Sequence, residues 1–461
     1  MFFVNIGFCI LTSLVIPQVM AGHVMFSLCC LKGRIPVLHS SLISICARTI
    51  VCGVSLLFCY GLLGSSSLAR GSDGEQVVGR WSNADPELTL NNRHILGAAA
   101  ALPNGRAIVA GGLDAGPLLF PATATAEIYD PVARKWSPIK PMSIGRWSLD
   151  SVVLANGKIL FAGGASAFKA SAVLDSAELF NPQTMQFEPV LNTLSAARHS
   201  FGISTLSDGR VLLTGGSAEG NSLNGAGLKS VDIYDPETNR FVPASSTMFG
   251  RSLHAQVTLR DGRVIVIGGA QNNAEIYSPT TNQWTTFTGL LPTTLKDMKA
   301  FETFDGRVFI AGGQDTVTGL TTDQTWFLDV NSGQFTPGPS MQGFHYSATG
   351  PQKGCSDYSA FDLYPEQHPL RGRFFLYAGG EHDPPAGPDI ELHSSCVFDV
   401  ARNEFFDMGP MPFVHDDHTE AILSINAEGH PMVLLLGGNQ CQGTSVFEFL
   451  FPSKADGEQS K

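Results

Sequence analysis

Charge is scarce in this sequence: Asp, Glu, Lys and Arg together make up 15% of its 461 residues, and 41 acidic side chains face only 29 basic ones. A chain this poor in Lys and Arg lacks the basic surface that neutralises phosphates, which argues against nucleic acid as a partner. Tryptophan (5) and tyrosine (8) are few beside phenylalanine (30), while glycine (49) and proline (27) are plentiful. Such a mixture fits a turn-rich β protein better than a helical one. No nucleophile elbow, phosphate loop or zinc signature occurs anywhere in the chain.

Acidic residues are absent from the first 69 positions, which hold six of the nine cysteines and three basic residues, Lys32, Arg34 and Arg48. Residues 49–63, TIVCGVSLLFCYGLL, follow Arg48 and lead into small residues ending at Ser67-Leu68-Ala69. A basic flank, a short apolar run and a small-residue end predict an export leader over residues 1–69, cleaved after Ala69. A second apolar run, FFVNIGFCILTSLVIP, lies upstream, and Met25 is an alternative start. The expected localisation is therefore exported, with membrane contact only through an uncleaved leader. Phe58 before Cys59 is too large for a lipoprotein box. Residues 70–461 would carry 26 basic and 41 acidic side chains, a net charge of −15. Three cysteines remain there, with Cys355 and Cys396 the favoured pair if a disulfide forms.

Length alone suggests about three domains, but the text past residue 77 repeats itself. LPNGRAIVAGG (102–112) recurs as LANGKILFAGG (154–164), LSDGRVLLTGG (206–216), LRDGRVIVIGG (259–269) and FDGRVFIAGG (304–313), with weaker copies at 370–380 and 427–438. A second unit follows: AEIYDPVARKW, AELFNPQTMQF, VDIYDPETNRF and AEIYSPTTNQW. Asn-Gly or Asp-Gly between apolar runs accepts a tight hairpin turn. The β-branched run after it reads as a buried strand, and Gly-Gly ends that strand where backbones approach closely. A third strand, a Pro-containing turn and an aromatic that opens a fourth strand complete each unit. Four strands in units of about 50 residues predict an all-β, seven-bladed β-propeller. VVGRW (77–81) supplies the strand missing from the last copy, so an N-terminal strand should pair into the last blade and close one ring.

The repeat resembles the kelch repeat over roughly residues 77–450, and the whole resembles the galactose oxidase/kelch superfamily. The strand starts RHILG, RWSLD, RHSFG, RSLHA, LKDMK and FHYSA, together with FVHDDHTE (413–420), then fall at the mouth of the central channel. Arg93, Arg146, Arg198 and Arg251, with Lys296, line one side of that mouth. Glu381, His382, Asp383, His415, Asp416, Asp417 and His418 line the other, with His345 and Tyr346 nearby. Two readings stay open for the arginines: seating a small anionic ligand, since guanidinium forks match carboxylates, or tying loops together. The candidate ligand-binding set is Arg93, Arg146, Arg198, Arg251, His345, Glu381, His382, Asp416 and His418. No cofactor is expected. The residues able to ligate a transition metal are His382, Asp383, His415 and His418, although H-D-D-H in an extended strand puts at most two side chains on one side.

The copper-radical chemistry implied by galactose oxidase is not expected. Leu96 and its neighbours, and Ser148, occupy the positions of the cross-linked Cys and Tyr, and Asp417 precedes His418 in place of Tyr. A mutarotase-like kelch enzyme is compatible with an Arg arc opposite His and Asp. The favoured reading is a binding module for a protein or glycan, the alternative being a carbohydrate-directed enzyme. The stretch CSDYSAFDLYPEQHPLRGR (355–373) is expected to be an insertion at the rim of blade 6.

Overall fold

The computed structural model describes residues 68–70, 76–82, 88–102, 105–114, 121–220, 226–347, 350–351, 355–356, 358–364, 368–384, 389–415, 419–425, 429–438 and 442–450. They form seven antiparallel sheets in a ring, with connections running from the innermost strand outward. Blade 1 is built from Ala98–Ala101, Ala107–Ala110, Ala126–Asp130 and Lys135–Ile139, and blades 2 to 5 repeat the pattern. Blade 6 contains Ser359–Asp362, Phe374–Ala378, Ser395–Asp399 and Glu404–Asp407. Blade 7 takes Thr419–Ile425, Pro431–Leu436 and Thr444–Leu450 from the C-terminal end and Gln76–Trp81 from the N-terminal end. The predicted closure is present, with Val78 opposite Leu450 and Trp81 opposite Phe447. A short strand, Leu68–Arg70, pairs outside it with Gln76–Val78, so the expected cleavage after Ala69 falls within a strand. The rest of the leader lies outside the described residues.

Each element follows from the repeat. Second strands such as Ile159–Ala162 and Val264–Gly268 are buried along their whole length, as their continuous apolar runs require. Neighbouring sheets pack face to face through an apolar core at every blade interface. Phe161 and Ile128 share a core between blades 1 and 2, Leu179 and Leu213 between 2 and 3, and Phe374 and Phe447 between 6 and 7. The recurring aromatic pairs across the outer hairpin, as in Tyr129–Trp136 at 5.4 Å, Tyr234–Phe241 at 5.2 Å and Phe398–Phe405 at 4.8 Å.

One boundary differs from the sequence reading. FHYSA does not start the innermost strand of blade 6, and residues 355–373 are not purely an insertion. Cys355 and Ser356 lead into the strand Ser359–Asp362. The extra length is divided between a ribbon upstream, Tyr346–Ser347 with Gly350–Pro351, and a long hairpin whose ends are held by Asp362. The Asp362 carboxylate accepts the amides of Tyr364 (3.2 Å) and Gly372 (2.8 Å). The sequence reading treated all of 355–373 as an insertion, whereas its first half supplies the innermost strand.

The Gly-Gly pairs serve the mouth of the ring. Gly163 has φ +61°, and a Cβ there would lie 2.5 Å from the Arg198 carbonyl oxygen of the next blade. Gly163→Ala should therefore cost about 2 kcal/mol or more, read as a lowered midpoint in denaturant unfolding. An unchanged midpoint would mean that the blades tolerate wider spacing.

Candidate functional site

At the mouth, the innermost strands of blades 1 to 5 are approached through the same turn. Leu96, Ser148, Ser200, Leu253 and Asp297 all have φ between 50° and 56°. Each passes a backbone hydrogen bond to its neighbour: Ser148 N to Leu96 O (2.8 Å), Ser200 N to Ser148 O (3.4 Å), Leu253 N to Ser200 O (3.0 Å) and Asp297 N to Leu253 O (2.9 Å). Blades 1 to 5 are thus stitched together around the channel.

Two residues before each turn sits a side chain that plugs its own blade. Arg146, Arg198 and Arg251 are almost wholly buried and bond the carbonyl of the first glycine of the pair, at 2.8 Å (Gly163), 3.1 Å (Gly215) and 2.6 Å (Gly268). Their remaining NH groups reach a carboxylate on the third strand: Glu178 at 3.2 Å, Asp232 at 2.6 Å and Glu275 at 2.9 Å. These guanidinium groups are engaged inside the blades and do not line the mouth, which corrects the anion-binding expectation for Arg146, Arg198 and Arg251. In blade 1 the same position belongs to His94, bonded to Gly111 O at 2.6 Å and Glu127 at 3.2 Å, so Arg93 is one residue off the set.

The stretch FVHDDHTE meets the same rule. His415 is fully buried, with Nδ1 2.8 Å from Gly437 O and Nε2 2.7 Å from Ser445 Oγ. Both ring nitrogens are thus engaged inside the blade, and burial lowers the pKa of this neutral histidine to about 4. Asp416, Asp417 and His418 lie outside the described residues. In blade 6 the two positions hold Cys355 and Cys396, both buried and not joined to each other as a disulfide, which corrects the pairing expectation. In blade 5 they hold Leu295 and Trp326.

The acidic side of the mouth is built from two ribbons. Leu295–Lys296 pairs with Gln314–Asp315 over blade 5, and Glu381–His382 with Ile390–Glu391 over blade 6. Gln314 Nε2 donates to Asp383 (2.6 Å), and Thr321 Oγ1 lies 2.8 Å from His382 Nδ1, linking the two blades. The carboxylates of Glu381, Asp383 and Asp389 lie within 4.8 Å of one another. These donors are all oxygen, unlike the imidazole-bearing set expected from the sequence. His345 is buried nearby, its Nε2 without a hydrogen-bond partner, and burial lowers its pKa to about 4.

Burial, reinforced by Asp389, raises the pKa of Asp383 to about 6. A carboxyl group raised in the folded state favours folding below its unfolded value, near 3.8, and that contribution is lost as pH rises through about 6. Melting temperature should therefore rise on acidification from pH 7 towards 4 by more in the parent than in Asp383→Asn. Parallel profiles would refute the assignment.

No protein-family model matches the chain. Galactose oxidase of Gibberella zeae is 21% identical over 247 residues, covering 50% of this chain and 34% of that protein. Kelch-like protein 15 of Danio rerio is 27% identical over 179 residues, and Kelch-like protein 23 of Mus musculus 24% over 180, each covering 29% of the relative. The chain thus spans about a third of the length of the curated relatives it matches. With seven closed blades, these similarities decide the family. The chain is a kelch-repeat β-propeller of the galactose oxidase/kelch superfamily.

Leu96 and Ser148, which the resemblance set against the copper-radical positions together with the neighbours of Leu96, both stand on the stitched turns of this kelch propeller. The basic plug and its acidic partner, read blade by blade, were the feature missed from sequence. The signal was visible in AEIYD, AELFN, VDIYD and AEIYS, where an acid sits second in an otherwise apolar strand.

Proposed function

We propose that this kelch propeller is an exported protein-interaction module that engages a basic partner segment through the ribbons over blades 5 and 6. The observation that carries the reading is that these ribbons put Asp315, Glu381, Asp383, Asp389 and Glu391 on one part of the loop face, beside the exposed tip at Val317. Clustered carboxylates of one sign steer and select an oppositely charged surface. Residues that line a mouth in sequence but are engaged inside the blades do not compete with this face. Export rests on the leader-like composition of the first 69 residues.

A photo-crosslinking amino acid at Val317, introduced into the full chain in its native host, tests the proposal. The expected result is a discrete adduct to one protein, lost when Glu381 and Asp383 are both changed to Lys and weakened by salt. An adduct indifferent to charge reversal, or none at all, would overturn it.

A further inference from the structure

We propose that Ser200 is a nucleophile, activated by His199 at the mouth between blades 2 and 3, and that this site attacks short-chain carboxylic esters. The proposal goes beyond the protein-binding reading and uses a different part of the face. Ser200 Oγ lies 2.9 Å from His199 Nδ1, and His199 Nε2 lies 3.1 Å from the Glu219 carbonyl oxygen. A carbonyl only accepts, so Nε2 carries the proton and Nδ1 is the free base. The Ser200 hydroxyl must then donate to Nδ1. Ser148 Oγ, 3.0 Å away, supplies a hydrogen bond to Ser200 Oγ. Nucleophile, base and orienting group are thus in hydrogen-bond reach in sequence.

The surroundings suit the roles. Ser200 is a non-glycine residue in the left-handed region, φ 52°, half-buried on the ring. His199 is fully buried, and burial pulls its pKa below the usual imidazole value while Glu219 pulls it back up. Glu219 thereby favours the imidazolium that forms as the base takes a proton. Among the described residues the Phe201 amide makes no hydrogen bond, and the amide after a nucleophile is a recurrent oxyanion donor. Trp147, stacked on Phe168 at 4.3 Å and 5.5 Å from the His199 ring, forms an apolar wall beside the base.

The fold does not need these side chains. At the register of His199, blades 1, 2, 4, 5 and 6 hold Ile95, Trp147, Ser252, Lys296 and Ser356, and at that of Ser200, blades 1, 2, 4 and 5 hold Leu96, Ser148, Leu253 and Asp297. The same ring is built with leucine in blades 1 and 4. In the reaction, Ser200 Oγ bonds to the acyl carbon as its proton passes to Nδ1. Collapse of the tetrahedral adduct breaks the ester C–O bond, and the leaving alkoxide takes that proton. Water then attacks the acyl-serine by the same route and releases the carboxylic acid.

The test is reaction of the purified full chain with a fluorophosphonate probe, mapped by peptide mass spectrometry, alongside hydrolysis of p-nitrophenyl acetate. A single label on Ser200 is expected, with esterolysis falling about 100-fold or more in Ser200→Ala and His199→Gln at unchanged melting temperature. Glu219→Gln should move the rising limb of the pH–rate profile to lower pH, because removing the carboxylate lowers the imidazole pKa; a merely structural role would leave that limb in place. No label on Ser200, full esterolysis in Ser200→Ala, or an equally reactive His199→Gln would each overturn the proposal.

Discussion

Arg198→Ala should lower the stability of the ring by about 3–5 kcal/mol, among the largest effects available to one substitution here. The side chain is fully buried and holds Asp232 at 2.6 Å, Ser230 O at 3.0 Å and Gly215 O at 3.1 Å. Truncation leaves an uncompensated carboxylate and two carbonyls in a dry interior. Removing both charges is a different matter, since well-packed apolar residues often replace a buried ion pair without loss. Blade 5 has already made that exchange, with Leu295 and Trp326 in the two positions. The double variant Arg198→Leu with Asp232→Trp should thus recover much of what the single variant loses. Equilibrium denaturation of parent, single and double variants checks this. A single variant as stable as the parent would mean that water reaches the site and the pair is not buried in solution.

A chain beginning after Trp81 should not yield a monomeric ring. Without Gln76–Trp81, the strand Thr444–Leu450 becomes an open edge, and Phe447 and Phe449 lose cover. Trp81 also donates from Nε1 to Ser395 Oγ at 2.8 Å, tying blade 7 to blade 6. The expected outcome is aggregation or a partly open species, seen by size-exclusion chromatography and by loss of cooperative melting. A subtler version is Gly79→Leu, where any side chain runs into the Phe447 ring. A monomer that melts like the parent after truncation would show that three strands suffice for blade 7.

Most of the fold was legible because the period is physical: a hairpin turn, a fully buried strand and a glycine pair each leave a distinct residue pattern. Ring closure was legible because the last copy lacks an outer strand that VVGRW (77–81) can supply. The site was less so. Arg93-His94 offers two basic residues side by side, and only the carbonyl of Gly111 decides that His94 is the plug. The same geometry consumed His415, whose polar neighbours made it look like a ligand. Arginines at a strand start read as surface residues until their partners, Glu178, Asp232 and Glu275, are recognised as charges facing inward from the third strand. Side-chain direction at the turn, which gave His199 and Ser200 their contact, depends on a left-handed residue that no local preference for serine announces.

The stitched turns around the channel act as a hoop. Every link donates in the same rotational sense, from each blade to the one before it in blades 1 to 5. Over that arc the links hold the width of the aperture, because blades 2 to 4 cannot tilt outward without breaking a bond on each side. Residues standing on it are interchangeable in a way that the hoop is not: leucine, serine and aspartate all occupy it with the same backbone. New chemistry can therefore be mounted on a rim whose width is already set.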